Sequence, residues 1–83
     1  MAEITVYSRE DCHLCDEALA TVRSVADEVD ATVAVEVVDV DEDPDLREEY
    51  GQRVPYVFVD GDPRFKYRVD ADRLRSLLAE RPT

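Results

Sequence analysis

The chain has 83 residues, of which 21 are acidic, 10 are basic and two are cysteines. This length predicts one domain over residues 1–83 with a thin core, because a domain of this size buries only about 60% of its unfolded surface. The net charge of −11 argues against nucleic acid and anionic membranes as partners, since both require clustered basic residues.

The first half of the chain predicts a strand, a helix and a second strand. Residues 3–7 alternate β-branched or aromatic side chains with others, which is typical of a short strand. Apolar residues then recur at helical spacing, so that one helix face carries Cys15, Ala18, Leu19, Val22, Val25, Ala26 and Val29. Residues 32–40 are rich in valine and predict a second, largely buried strand.

Residues 43–69 predict a short helix followed by a β-hairpin. Asp43 is suited to cap a helix that runs from Pro44 to residue 50 and ends at Gly51. A strand over residues 54–59 is then expected to pair, through a turn at residues 60–61, with a strand over 64–69.

The last predicted element is a helix that Asp70 can cap, with Leu74, Leu77 and Leu78 facing the core. The order of elements is therefore β-α-β-α-β-β-α. The first β-α-β unit requires parallel strands and the closing hairpin requires antiparallel ones. We therefore predict an α/β fold in which a four-stranded mixed sheet is flanked by helices.

Reactive side chains concentrate in the segment Cys12-His13-Leu14-Cys15, between the first strand and the first helix. No apolar run is long enough to span a membrane, and the first residues do not resemble a signal peptide, so we expect a cytoplasmic protein. In that compartment a C-x-x-C pair within a β-α-β unit favours redox chemistry. Helix N–H groups should lower the pKa of Cys12, while Cys15, on the apolar face, should be buried and remain a thiol.

Other chemistries fit this segment less well. A zinc site needs about four ligands and would have to recruit carboxylates beside the two cysteines and His13. A cysteine hydrolase would need a distant histidine as its base, which the chain lacks. We therefore expect no metal and no organic cofactor. His13 itself is expected to be exposed, with the alternative that its protonated ring stabilises a Cys12 thiolate.

Charged residues of both signs flank the cysteines. Arg9 would stabilise a Cys12 thiolate, whereas nearby carboxylates would oppose it by raising the pKa of the thiol. These carboxylates belong to Glu10, Asp11, Asp16 and Glu17. In molar salt they would be screened while contacts with helix N–H groups would persist, so we expect Cys12 to be more acidic there.

The acidic bias extends over the whole chain, which has nine arginines and a single lysine, Lys66. One interpretation is a halophilic organism with a salt-in cytoplasm, since a Debye length of about 3 Å in molar salt screens the self-repulsion. The alternative is an ordinary acidic protein encoded by a GC-rich genome.

Two segments resemble the glutaredoxin branch of the thioredoxin-fold proteins. Residues 6–15, VYSREDCHLC, are similar to the glutaredoxin stretch VYSKxxCPYC, and residues 50–59, YGQRVPYVFV, resemble TGxxTVPxVFI. The variant CHLCDEA, with DPxL before YG, is similar to that of very small bacterial and archaeal glutaredoxin-like proteins. The resemblance covers nearly the whole chain and agrees with the predicted order of elements.

The resemblance implies a thiol–disulfide oxidoreductase that serves electron transport and cell redox homeostasis. Cys12 would be the nucleophile and Cys15 the resolving thiol, and their disulfide would be the redox-active centre. Pro55 would follow a cis peptide bond and face the cysteines. Val54 would pair its backbone with the main chain of a substrate, and Arg9 would attract a glutathione-type carboxylate.

The sequence departs from the family at the last helix, where glutaredoxins have a Gly-Gly pair before an Asp. The chain has Tyr67-Arg68-Val69-Asp70 there. Asp70 matches, and the resemblance implies that it binds substrate, but side chains in place of the glycines could close the glutathione groove. The implied partners are a disulfide-containing protein or small-thiol substrate and a thiol or disulfide reductase, with a low-molecular-weight thiol as cosubstrate. We expect a monomer. The alternative function is a thioredoxin-fold binding or redox-sensing module without turnover.

Overall fold

The computed structural model describes residues 2–29 and 32–79. Its strands are β1 (Ala2–Ser8), β2 (Val33–Asp39), β3 (Tyr56–Val59) and β4 (Asp62–Lys66). Its α-helices are α1 (His13–Glu28), α2 (Pro44–Tyr50) and α3 (Ala71–Ala79). A 3-10 turn at Val40–Glu42 connects β2 to α2. The predicted order of strands and α-helices is confirmed.

The four strands form one mixed sheet in the order β2-β1-β3-β4. Strand β1 runs parallel to β2 and antiparallel to β3, and β3 pairs antiparallel with β4. The predicted α/β fold with a four-stranded mixed sheet is therefore confirmed. Because β1 is an inner strand, the loop that follows it leaves the middle of the sheet, and this loop carries Cys12.

The core lies between one face of the sheet and helices α1 and α3. Alternate residues of β1 and β3 point to this face, as the two-residue period of a strand requires. The core includes Ile4, Val6, Val57 and Val59 from the sheet and Val22, Val25, Leu74 and Leu78 from the helices. The helix faces predicted from apolar spacing are thus the buried ones, with Leu77 half-buried beside them.

Two features of the strands differ from the sequence prediction. Strand β2 lies at the edge of the sheet and alternates half-buried with exposed residues, so the expectation of a largely buried strand was wrong. A run of valines reflects strand propensity and does not reveal an edge position. Strand β4 begins directly after a two-residue turn in which Asp60 and Gly61 both have positive φ (51° and 85°). It ends at Lys66, because Tyr67 adopts a φ of 71° that is incompatible with a strand.

The caps of the two later helices follow the prediction. The carboxylate of Asp43 accepts the N–H groups of Asp45 and Leu46, with Pro44 in the first turn of α2. Oδ1 of Asp70 accepts the N–H groups of residues 72 and 73, at 3.0 and 3.2 Å. Both aspartates satisfy donors that a helix leaves unpaired at its start.

Helix α2 packs on the opposite face of the sheet through aromatic rings. Tyr50 stacks on Tyr7, with 4.8 Å between ring centroids, and contacts Tyr56 and Phe58 edge to face. Its partial burial raises the pKa of the Tyr50 hydroxyl. This packing fixes the end of α2 and therefore the loop that leads to Val54. No helix in the described ranges is both long and apolar enough to cross a bilayer.

Candidate active site

The Cys12 side chain is the N-cap of helix α1. Asp11 adopts a left-handed conformation with a φ of 55°, which turns the chain out of the loop and into Cys12. The backbone N–H of Cys15 then donates a hydrogen bond to Sγ of Cys12 at 3.1 Å. An anionic sulfur at this position would be favoured by that N–H group and by the positive end of the helix dipole. The local geometry thus places the Cys12 sulfur at the helix N–H groups, as the sequence predicted.

The two cysteines lie close enough to form a disulfide. Their sulfur atoms are within bonding distance and their Cα atoms are 5.2 Å apart. Cys15 is only 3% exposed and lies on the apolar face of α1, whereas Cys12 is half-buried at the helix entrance. A substrate could therefore reach Cys12 more easily than Cys15, as the sequence predicted.

The loop after α2 brings a second predicted element to Cys12. The Val54–Pro55 peptide bond is cis, which confirms that part of the prediction. A shallow pocket of about 260 Å³ beside Cys12 is lined by Arg9, Glu10, Asp11, Gly51, Gln52 and Val54. Val54 therefore lies at the same pocket as Cys12, while Pro55 is buried. A backbone contact of Val54 with substrate and the facing of Pro55 toward the cysteines stay predictions.

Arg9 lies at this pocket but is engaged by the protein itself. Its Nε donates to Oδ2 of Asp41 at 3.0 Å, and its Nη1 donates to the carbonyl oxygen of Gly51 at 3.0 Å. The side chain thereby connects the loop before Cys12 to the turn after β2 and to the end of α2. The attraction of Arg9 for a substrate carboxylate stays a prediction. Its ion-pair partner, Asp41, was not evident from local sequence spacing.

The carboxylates around the cysteines are all exposed. They belong to Glu10, Asp11, Asp16 and Glu17. Nε2 of His13 lies 3.3 Å from a carboxylate oxygen of Glu17, and the imidazole is 86% exposed. The exposure predicted for His13 is confirmed. Within residues 2–29 and 32–79, no three Cys, His, Asp or Glu side chains form a group that could hold a metal ion.

A larger pocket of about 570 Å³ lies between α1 and the segment before α3. Its lining includes Leu14, Glu17 and Ala18 on the helix and Tyr67, Arg68 and Val69 on the facing segment. The Tyr67 N–H donates to the Pro55 carbonyl oxygen at 2.7 Å, and its hydroxyl donates to the Gln52 carbonyl oxygen at 3.3 Å. The segment without the glycine pair is thus tied to the cis-proline loop, a link that the sequence did not predict.

Asp70 lies next to this segment but lines neither of the two pockets. The structure shows it as the cap of α3, and a contact with substrate stays a prediction. Of the predicted site residues, the structure therefore brings Cys12, Cys15, Arg9 and Val54 together.

Comparisons with known proteins agree with this geometry. Residues 3–79 match the model of the glutaredoxin-like domain (DUF836). An X-ray structure of a structural-genomics target protein from X. campestris is 35% identical with a TM-score of 0.73, and the match covers 95% of this chain and 99% of that one. A mutant thioredoxin from Halobacterium salinarum is 28% identical with a TM-score of 0.64, covering 92% of this chain and 70% of that one. An uncharacterised protein of Mycobacterium tuberculosis is 29% identical over 80 residues, which are 93% of this chain and 82% of that protein.

Proposed function

The chain belongs to the glutaredoxin-like domain family, and on this basis we propose that it is a thiol–disulfide oxidoreductase with a dithiol mechanism. The observation that carries the proposal is the asymmetry of the cysteine pair. Cys12 caps a helix and is partly accessible, while Cys15 lies one turn later in the core within disulfide distance. Such an arrangement suits an attacking thiolate followed by a protected resolving thiol.

In the proposed reaction the Cys12 thiolate attacks one sulfur of a substrate disulfide. A Cys12–substrate disulfide forms, the substrate S–S bond breaks, and the departing thiolate takes a proton from water. Cys15 then loses its proton, attacks Sγ of Cys12 and releases the second substrate thiolate. The substrate has thereby gained two electrons from the protein, whose two cysteines are now oxidised to the Cys12–Cys15 disulfide.

The Cys12–Cys15 disulfide must be reduced to complete a cycle. We propose that a low-molecular-weight thiol or a thiol or disulfide reductase supplies the two electrons, and that the protein acts in the cytoplasm as a reductant of disulfide-containing proteins or small molecules. The cytoplasmic thiol pool favours this direction. The chemistry as proposed needs no metal or organic cofactor. An acidic surface with a net charge of −11 further suggests a halophilic cytoplasm.

A second candidate function is a redox-sensing module without turnover. The segment Tyr67–Val69 lies where glutaredoxins have a glycine pair, and its hydrogen bonds to Pro55 and Gln52 tie it to the cis-proline loop. In such a module the Cys12–Cys15 disulfide would change the contacts of the protein with a partner instead of passing electrons on.

A trapping experiment separates these functions. We expect Cys15→Ser to accumulate a mixed disulfide at Cys12 with bis(2-hydroxyethyl) disulfide, detected by intact mass, because the resolving thiol is missing. Cys12→Ser serves as the matched control and should trap nothing. The wild type, supplied with a dithiol, should reduce the same disulfide in many turnovers. Trapping without turnover would support the sensor, and a wild type that exchanges with no disulfide would exclude the catalytic function.

A further inference from the structure

We propose that the site discriminates by charge and reduces disulfides with positively charged or neutral arms in preference to those with carboxylate arms. This inference rests on the proposed function and names its substrate class. It follows from the charges that the structure places around Cys12, and it differs from the expectation that Arg9 attracts a glutathione-type carboxylate.

Arg9 is the cation at the pocket beside Cys12, and its charge is already balanced. The guanidinium forms an ion pair with Asp41 at 3.0 Å and donates a second hydrogen bond to the Gly51 carbonyl. The pair carries no net charge, so a carboxylate entering the pocket would have to compete with Asp41. The geometry therefore makes Arg9 a residue that positions the loop, with little positive charge left for a substrate.

Two carboxylates at the same pocket are not balanced in this way. Glu10 and Asp11 line the pocket and are exposed, and neither has an ion-pair partner in the described ranges within 4.0 Å. With Arg9 and Asp41 cancelling, the pocket has an excess of two negative charges. A disulfide arm that extends from Sγ of Cys12 into this pocket therefore meets a negative potential.

Cations on other sides of the site do not reverse this sign. Arg53 is exposed, lies between the pocket residues Gln52 and Val54 in the chain, and interacts electrostatically with Tyr50. Arg68 lines the larger pocket, and the carboxylate of Glu17 lines the same pocket. On α1 the exposed charges nearest to Cys12 are those of Asp16 and of the His13–Glu17 pair. The four exposed carboxylates of Glu10, Asp11, Asp16 and Glu17 thus outnumber the two guanidinium groups of Arg53 and Arg68, and the net charge around Cys12 stays negative.

The experiment uses three disulfides whose sulfurs carry two-carbon arms ending in an ammonium, a hydroxyl or a carboxylate. These are cystamine, bis(2-hydroxyethyl) disulfide and 3,3′-dithiodipropionate. Each rate with the reduced wild type is divided by the rate of the same disulfide with dithiothreitol, which removes differences in the leaving thiol. In dilute buffer we expect the normalised rates to fall from ammonium to hydroxyl to carboxylate, by about tenfold overall. In about 1 M KCl the spread should shrink to about twofold.

Three variants with the same change of charge test the assignment to this pocket. Asp11→Asn should narrow the spread in dilute buffer, and asparagine tolerates the left-handed conformation at this position. Asp27→Asn is the matched control, because residue 27 lies about 22 Å from Cys12 along α1 and should leave the spread unchanged. Asp41→Asn releases Arg9 and should raise the normalised rate with dithiodipropionate more than the rate with cystamine.

Failure of the charge selection can be told apart from failure of the proposed function. If the protein exchanges with all three disulfides and the carboxylate substrate reacts as fast as cystamine, the charge selection is refuted while the oxidoreductase stands. The selection by this pocket is also refuted if Asp27→Asn narrows the spread as much as Asp11→Asn does. If no disulfide exchanges at all, the proposed function fails and the charge selection fails with it.

Discussion

Asp70 provides the sharpest test of a residue for which family resemblance and geometry suggest different roles. The resemblance implies a contact with substrate, whereas in the structure its Oδ1 accepts two N–H groups, at 3.0 and 3.2 Å, in the first turn of α3. Removing an N-cap acceptor costs about 0.5–2 kcal/mol, and helix α3 has only nine residues over which to compensate. We therefore expect Asp70→Ala to lower the free energy of unfolding by about 1 kcal/mol and the Tm by roughly 4–8 °C.

Asp70→Asn separates the hydrogen bonds from the charge. Asparagine caps a helix about as well as aspartate does, so in molar KCl, where the dipole interaction is screened, this variant should melt close to the wild type. The assay is thermal unfolding followed by circular dichroism, with disulfide-exchange rates measured well below each transition. An Asp70→Ala protein as stable as the wild type would refute the capping argument. A folded Asp70→Asn protein with a large loss of exchange rate would instead place Asp70 in contact with substrate.

The core and the net charge give two further predictions. Leu74 is fully buried between α3 and the sheet, so Leu74→Ala should lower the free energy of unfolding, measured in urea, by about 2–5 kcal/mol. Leu77 is half-buried, and Leu77→Ala should lower it clearly less. Similar losses of stability in both variants would contradict the packing. Because the net charge is −11, the Tm of the wild type should rise from dilute to molar KCl. The rate of exchange with a neutral disulfide should also rise, because salt screens the carboxylates near Cys12. A Tm or an exchange rate that stays flat or falls would refute the electrostatic reasoning.

The structure confirms the predicted features that depend on residues close together in the sequence. The apolar spacing through Val22 and Val25 identified the buried face of α1, because a helix repeats every 3.6 residues whatever it packs against. Asp43 and Asp70 were identifiable as caps because their partners lie two or three residues away. The burial of β2 was mispredicted since it depends on which strand lies beside it, and that is a property of the whole sheet.

The same distinction applies to the site. The proximity of Cys12 and Cys15 could be predicted because their spacing puts them one helical turn apart. The ion pair of Arg9 with Asp41 joins residues 32 positions apart, and no local pattern connects them. The positive φ of Tyr67 was equally hidden, because tyrosine rarely adopts it and nothing in the adjacent sequence marks a turn there.

The pairing of Arg9 also connects the substrate proposal to the interpretation of the overall charge. Repulsion between Glu10 or Asp11 and a substrate carboxylate acts over several ångströms, and a Debye length of about 3 Å in molar salt removes most of it. Arg9 and Asp41, at 3.0 Å, are in direct contact and partly buried, so salt would weaken their pairing less than it weakens the longer-range repulsion. In a halophilic cytoplasm, a substrate carboxylate would therefore find no free cation beside Cys12 to attract it, and it would be repelled only weakly. In a dilute cytoplasm, repulsion by the surrounding carboxylates would add to the lack of attraction.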